Sequence, residues 1–586
     1  MNSSSGKKRF IGLTELVFAF LTSAIITVGR CVYNLNDLKW LKISAVEYIA
    51  IFAILFVPIL FFYVILGRLV KRYENAGRAD EISDEINVSD IPGKETKGNE
   101  KEPSPLTAGE EIDLLAVKDD KTIEKEAKEK ALKGKKPVIY RILPVMAFIL
   151  ILASFVPALL AYFPGILAYD SEWQTLQAIG LLPLSNHHPV LHTLIWNAFL
   201  LLERVGLPHP YALTVYCIFQ MIIVALVCAY VVKREMTEGC RWYYGLLTIA
   251  FYVLYPAFNI FSVEMTKDVL FSCMVVLLVL KLLKASRGEK VSTVMLFFNV
   301  LLACLLRNNF LPAAFAMIIC LLFIAKKEKL GKFLVTSSIA VIFSCVIMFA
   351  VYPLAGVQKS ESREALSVPI NQVASVYVNR YKDLTVAEKF IIENYMSAGE
   401  YNPRLADSVK FTFDSDLYDS DRSAFWDLYM HLLDRYPAEF INAFLTQNVQ
   451  LWYPGARIDD RYAAREYIET ENVFIDPYYV ERRPIVPELE LYYENLISYV
   501  NRSGLLNGMI FSLSIPFMVF LCAFYIAIRF RRPSYTTALI TLFALWGTYL
   551  LGPVSAFRYM YTFFLLIPVM LMPVFSGKKK SPSSED

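Results

Sequence analysis

The chain has 586 residues, of which 56% are apolar and 19% charged, and its mean hydropathy of +0.43 excludes an ordinary soluble protein. A net charge of +3 gives no case for nucleic acid as a partner, so the informative quantity is where basic residues fall relative to apolar runs. Nine cysteines, most in or beside those runs (Cys217, Cys228, Cys273, Cys304, Cys320, Cys345, Cys522), read as small apolar packing residues and not as a disulfide framework.

The first apolar run, near 10 to 29, follows Lys7, Lys8 and Arg9 but lacks an Ala-x-Ala cleavage pattern, and is read as a retained anchor helix. With a second run near 45 to 67 it makes residues 1–70 an accessory pair of transmembrane helices. Residues 71–137 mix both charge signs and hold one aromatic, Tyr73, which predicts a disordered cytoplasmic linker. Glu124/Lys128 and Glu126/Lys130 at i,i+4 suit a short solvated helix at its end.

Residues 138–356 carry runs near 140 to 162, 209 to 232, 243 to 262, 268 to 285 and 333 to 353, plus two back to back at 292 to 306 and 310 to 325. Residues 505–586 add three, near 505 to 528, 535 to 552 and 557 to 575, for about twelve spans in all. The run 189 to 204 decides the topology, because at about 1.5 Å per residue it reaches only ~24 Å. Laid on the outer surface within a first outer loop, 163–208, it leaves every basic cluster from Lys7–Arg9 to Lys578–Lys580 in the cytoplasm, together with both termini. Residues 357–504 are then an extracytoplasmic domain, and their pattern is helical. Thr385 and Glu388 make a capping box, Asp421 precedes an apolar-periodic run and Pro437 opens another.

The middles of the spans are almost free of charge, unlike those of an ion-coupled transporter. Polar groups gather at the outer ends: Asp170 and Glu172, His187, His188 and His192, Glu264, Lys267 and Asp268, Arg307 and Arg558. Asp170 follows the third span in FPGILAYDSEWQTLQ, where Pro164 and Gly165 turn the chain. Two roles are open to it: a general base whose pKa partial desolvation raises, or, with Ser171, a helix N-cap. Glu172 is an ordinary first-turn acid. Pro189 suits the first helical position of the surface helix, with His188 and His192 one turn apart on one face. That spacing serves either a metal or structural hydrogen bonds, while His187 is expected in solvent. Arg307 and Arg558 sit in breaks between apolar segments, placed either to hold a phosphate bidentately or to snorkel. Lys267 is expected to be neutralised by its neighbour Asp268.

A span running outward, a loop with an acidic residue, a proline-led surface helix and a span ending in Lys-Arg resemble the GT-C class of membrane glycosyltransferases. Tyr169 to Arg234 is similar to the first-loop region of aminoarabinose transferases and protein mannosyltransferases, and SNHHPVLHTL, SVPINQVA and GPVSAFRY resemble a bacterial branch of that class. The resemblance, over roughly 138 to 575, implies an all-α polytopic membrane protein with a GT-C-like core in a bacterial plasma membrane. It implies a sugar on a polyprenyl phosphate as donor and a cell-envelope glycan, lipid or protein as acceptor, among membrane lipids. Asp170, with Glu172 as second acid, would serve the reaction. His187, His188, His192, Lys267, Arg307 and Arg558 would bind substrate. Where the class has a lysine or second acid beside the surface helix, this chain has His187 and His188. That leaves open whether Asp170 and Glu172 hold a divalent metal. A flippase or transporter of lipid-linked glycans, and a non-catalytic surface protein, are the alternatives. On the topology above, a cysteine introduced at Glu95 should react with an impermeant thiol reagent only after the membrane is permeabilised, and labelling in intact cells would refute it.

Overall fold

The computed structural model of the protein describes residues 11–35, 43–89, 138–168, 170–456, 468, 470–472, 481–502 and 511–576. Its regular elements are helical, and no strand occurs among the described residues. In chain order the first helices are α1 (Leu13–Leu35), α2 (Ala45–Ser89), α3 (Val138–Ala161), α4 (Ser171–Ala178), α5 (Val190–Leu200) and α6 (His209–Thr237). Next come α7 (Trp242–Leu254), α8 (Pro256–Phe261), α9 (Lys267–Ser286), α10 (Thr293–Leu306), α11 (Phe310–Ile324) and α12 (Gly331–Val346). The larger helices that follow are α13 (Ser367–Asn379), α14 (Val386–Tyr395), α15 (Arg422–Arg435), α16 (Pro437–Trp452), α17 (Pro487–Arg502), α18 (Ile515–Arg529), α19 (Pro533–Tyr549) and α20 (Phe557–Phe575).

Among the described residues seven helices are long and apolar enough to cross a membrane: α1, α2, α3, α6, α9, α12 with its extension to Leu354, and α20. Several expected spans are shorter, for local reasons. Pro256 forces Tyr255 into an extended conformation and divides the run 243 to 262 into α7 and α8. Arg307, also extended, separates α10 from α11. The helix that begins the second span does not stop at residue 70, because α2 continues to Ser89; the rest of the expected linker, with Glu124 to Lys130, lies outside the described residues. All nine cysteines are free thiols, most of them buried in the helix packing.

The α20 helix is the centre of the bundle, with 89% of its apolar window buried, against 11% for α2, whose apolar surface is left for lipid. Tyrosines from surrounding helices bond to α20 carbonyls: Tyr244 donates to Pro568, Tyr252 to Leu565 and Tyr535 to Met570. α1 is pinned to α18 by the buried carboxylate of Glu15, which accepts from Tyr525 (3.0 Å) and Arg529 (3.1 Å). On the same side Arg532 donates to Glu74 at 2.8 Å, tying α2 to the start of α19.

Residues from Leu366 to Phe440 have an apolar core of their own, including Ile370, Ile392, Phe413 and Phe425. The capping box of Thr385 and Glu388 forms, Asp421 caps α15 and Pro437 occupies the first turn of α16. This region is stitched to the loop before α20, where the Ala406 amide donates to Pro553, and the side chains of Gln447 and Asn448 donate to Gly552 and Leu550. It also meets the segment between α4 and α5, with the Gln358 amide donating to Leu184 and the Asn186 amide to Gln358.

The loop after α3 is fixed by backbone pairing. The Ile166 amide donates to Val263 (3.0 Å) and the Met265 amide to Ile166 (2.9 Å). Gly165 permits this approach: its φ is +143°, and a Cβ there would fall 2.5 Å from Met265 Cε and 2.6 Å from Cys217 Sγ. Gly165→Ala should therefore destabilise the protein by about 1 to 3 kcal/mol or more. Gly180→Ala, at φ +81° with nothing within 4 Å, should cost only its backbone strain. Equal thermal midpoints for the two variants would show that the close packing at Gly165 is unimportant.

Candidate functional site

Three chain segments converge at one end of the bundle: the loop after α3, the start of α9 and the start of α20. Pairing of Ile166 with Val263 and Met265 aligns the first two. The Ser171 hydroxyl, 2.7 Å from the Ala168 carbonyl and 3.1 Å from that of Met265, locks the register at the next turn. Asp170 is thereby brought to Lys267, 97 residues further on, and to Arg558, 388 residues further on.

Both cations bond the same carboxylate oxygen. Lys267 Nζ donates to Asp170 Oδ2, Arg558 Nη1 donates to it at 2.7 Å, and His188 Nδ1 lies 3.9 Å away. Oδ1 takes no hydrogen bond among the described residues, and the side chain is 28% exposed, so this oxygen is available to an incoming group. Burial works to raise the Asp170 carboxyl, but Arg558 and Lys267 outweigh it and hold the group well below the usual carboxylate range. The expected raised pKa is thus reversed, because desolvation was weighed without the two cations. Asp170 does occupy the N-cap position of α4, but its side chain makes no capping hydrogen bond there and is turned to the cations instead.

The histidines separate. Pro189 caps α5 in an extended conformation and is not its first helical residue, so His188 lies outside the helix and does not share a face with His192. His188 is 3% exposed with neither ring nitrogen hydrogen-bonded. Burial, reinforced by Lys267, pushes its pKa down to about 2, leaving a neutral imidazole beside the Asp170 carboxylate. His192 is fully buried, with Nδ1 3.0 Å from Gln174 Oε1 and Nε2 2.9 Å from the Tyr216 hydroxyl. Both nitrogens are engaged in packing α5 on α4 and α6, away from the cluster at Asp170. His187 is exposed, as expected, with Nδ1 3.2 Å from Ser360 Oγ. Glu172 stays in the first turn of α4 and joins none of the described ion pairs.

Two further expectations are corrected. Lys267 is not neutralised by Asp268, and Arg307 is not free for a phosphate. Arg307 donates to the fully buried Asp268, its guanidinium lying 4.9 Å from the ring of Tyr549 and 4.7 Å from that of Tyr559. Neither tyrosine was singled out in the sequence: Tyr559 simply follows Arg558, and nothing marks Tyr549. Among the described residues no group of three or more His, Cys, Asp or Glu is placed to hold a metal ion. At Asp170 two protein cations already share Oδ2, and Glu172 joins no described ion pair beside it.

A buried ion pair cut at one end leaves a bare charge, at a cost of about 3 to 5 kcal/mol. Arg307→Ala should therefore fail mainly in thermal stability, and Arg307→Met with Asp268→Leu should recover much of the loss. A stable Arg307→Ala protein would contradict this structural role.

No curated protein and no solved structure matches the chain. A family model, described as a family of unknown function (DUF6020), matches residues 177–586 and so takes in His188, Lys267, Asp268, Arg307 and Arg558, while Asp170 precedes the matched segment. With more than half of its length under that model, the chain belongs to the DUF6020 family.

Proposed function

We propose that the protein is a GT-C-like membrane glycosyltransferase with about twelve transmembrane helices, which moves a sugar from a polyprenyl-phosphate donor to a cell-envelope acceptor. In this reading the Asp170 site faces outward from a bacterial plasma membrane, residues 357–504 form its extracytoplasmic domain and both termini are cytoplasmic. One observation carries the proposal: a solvent-reachable carboxylate whose two cations share a single oxygen, at the end of an apolar bundle.

The geometry suits a base that the substrate itself activates. An arriving phosphate competes with Asp170 Oδ2 for Lys267 and Arg558, and as these turn to the phosphate the carboxylate loses the charges that keep it a weak base. The acceptor hydroxyl oxygen then attacks the anomeric carbon, and its proton passes to Asp170. The bond from that carbon to the phosphate oxygen breaks, and the electron pair leaves on the polyprenyl phosphate, held by the two cations. Neutral His188 offers a hydrogen-bonding group to the sugar or acceptor without competing for the phosphate charge.

The test is transfer from labelled polyprenyl-phosphate sugar in membranes. Asp170→Asn should lower transfer by about 10² to 10⁴ while donor binding persists. Lys267→Gln and Arg558→Gln should raise the donor KM by about tenfold or more, the equivalent of a charge-assisted hydrogen bond. Wild-type transfer by Asp170→Asn would end the proposal.

A further inference from the structure

At the opposite end of the bundle, a groove of about 460 Å³ opens between the end of α11, the end of α18 and the first turns of α19. Tyr535, at the start of α19, bonds to Met570 near the far end of α20. The twelve residues of α20 from Arg558 to Met570 therefore put roughly 18 Å of helix between this groove and Arg558. Its floor is apolar, with Phe323, Ile324, Ile528 and Ile540, and its rim carries Lys327, Arg531 and Arg532 with no acidic residue in the lining. Arg532 is engaged by Glu74. Lys327 and Arg531 are exposed and take part in no ion pair or hydrogen bond of their side chains among the described residues.

Besides these unpaired cations, two features of the rim stand out. The first is the start of α19, a seventeen-residue helix with Pro533 in its first turn, whose leading amides and dipole favour negative charge where Arg531 and Arg532 stand. The second is backbone conformation. Arg531 ends α18 in a left-handed turn (φ 50°), closed by its amide to Ile528 and by the Arg532 amide to Ala527, at a position that glycine favours. Lys329 (φ 56°) does the same after α11. These are the only non-glycine residues with positive φ among the described residues, and both are basic. A smaller cavity of about 180 Å³ across Arg532 and Pro533 contains Glu238 and Glu328 beside Arg287 and is charge-balanced, so the anion is assigned to the groove.

We propose that this groove binds an anionic phospholipid of the bilayer, its headgroup phosphate held by Lys327 and Arg531 at the start of α19 and an acyl chain lying along Phe323, Ile324, Ile528 and Ile540. The site is independent of the chemistry at Asp170. Free phosphate could satisfy the rim but not the apolar floor, and a zwitterionic lipid could satisfy the floor but not the rim.

The test uses the full-length protein in nanodiscs of phosphatidylcholine with graded phosphatidylglycerol, reading retained lipid by native mass spectrometry and thermal stability in parallel. The wild type should retain phosphatidylglycerol at least fivefold over phosphatidylcholine and gain thermal stability with it. Arg531→Gly, which keeps the left-handed backbone, combined with Lys327→Gln should abolish the preference and the gain while the midpoint in pure phosphatidylcholine stays at or above the wild-type value. Lys359→Gln, remote from the groove, should leave both intact. Equal retention of the two lipids by the wild type, an undiminished preference in the double variant, or the same stabilisation by inorganic phosphate alone would each overturn the proposal.

Discussion

The carboxylate of Asp170 ties three distant parts of the chain to one atom: a single oxygen receives Lys267 and Arg558, 97 and 388 residues away. Hydrocarbon offers no solvent to charge, so the ends of the helices are where such groups can meet water and one another. Each partner sits at the first turn of an apolar helix, α9 or α20, and a shift of either helix along its axis would move a cation off the carboxylate. The arrangement thus fixes helix register and prepares the site at once.

Beside it runs a second pair with the opposite character. Lys267 and Asp268 are adjacent in sequence but roughly 100° apart around α9, so one faces the loop carrying Asp170 and the other the buried guanidinium of Arg307. Asp268 and Arg307 are sealed among Tyr549, Tyr559 and Phe271, where aromatic faces substitute for solvent around the cation. The sealed pair holds α9 to the break between α10 and α11. The partly exposed pair is the one an incoming ligand can rearrange.

This division explains what the sequence made legible. Asp170, Lys267 and Arg558 stood out because each is a charge beside an apolar run, and the capping box at Thr385 and Glu388 is readable because its two halves lie within one turn. Partner choice was not readable. It depends on rotation about a helix for Lys267 and Asp268, and for Arg307 on Tyr549, which arrives from a helix 242 positions later. The pairing of His188 with His192 was misread because α5 starts only at Val190, with Pro189 as its N-cap, which puts His188 in the loop and His192 in the core. Several expected spans were likewise single runs in composition but broken helices in space, since Pro256 and Arg307 act on the backbone without interrupting the apolar pattern for long.

The region from residue 357 onward has a structural bearing on this site that its sequence position does not suggest. Gln447 and Asn448 on α16 bind the carbonyls of Gly552 and Leu550, and the Ala406 amide binds that of Pro553, so the loop that leads into Arg558 is held from outside the bundle. Gln358 meanwhile bridges Leu184 and Asn186 in the segment that ends at His188. One compact region therefore grips both a cation of the Asp170 cluster and the neutral imidazole beside it, through backbone carbonyls and amides that do not depend on the side chains at those loop positions. A ligand that repositions Arg558 must work against this grip, whereas Lys267 is anchored only by α9 and the loop that carries Asp170. Of the two cations, Lys267 is therefore the freer to move, and Arg558 the more firmly held.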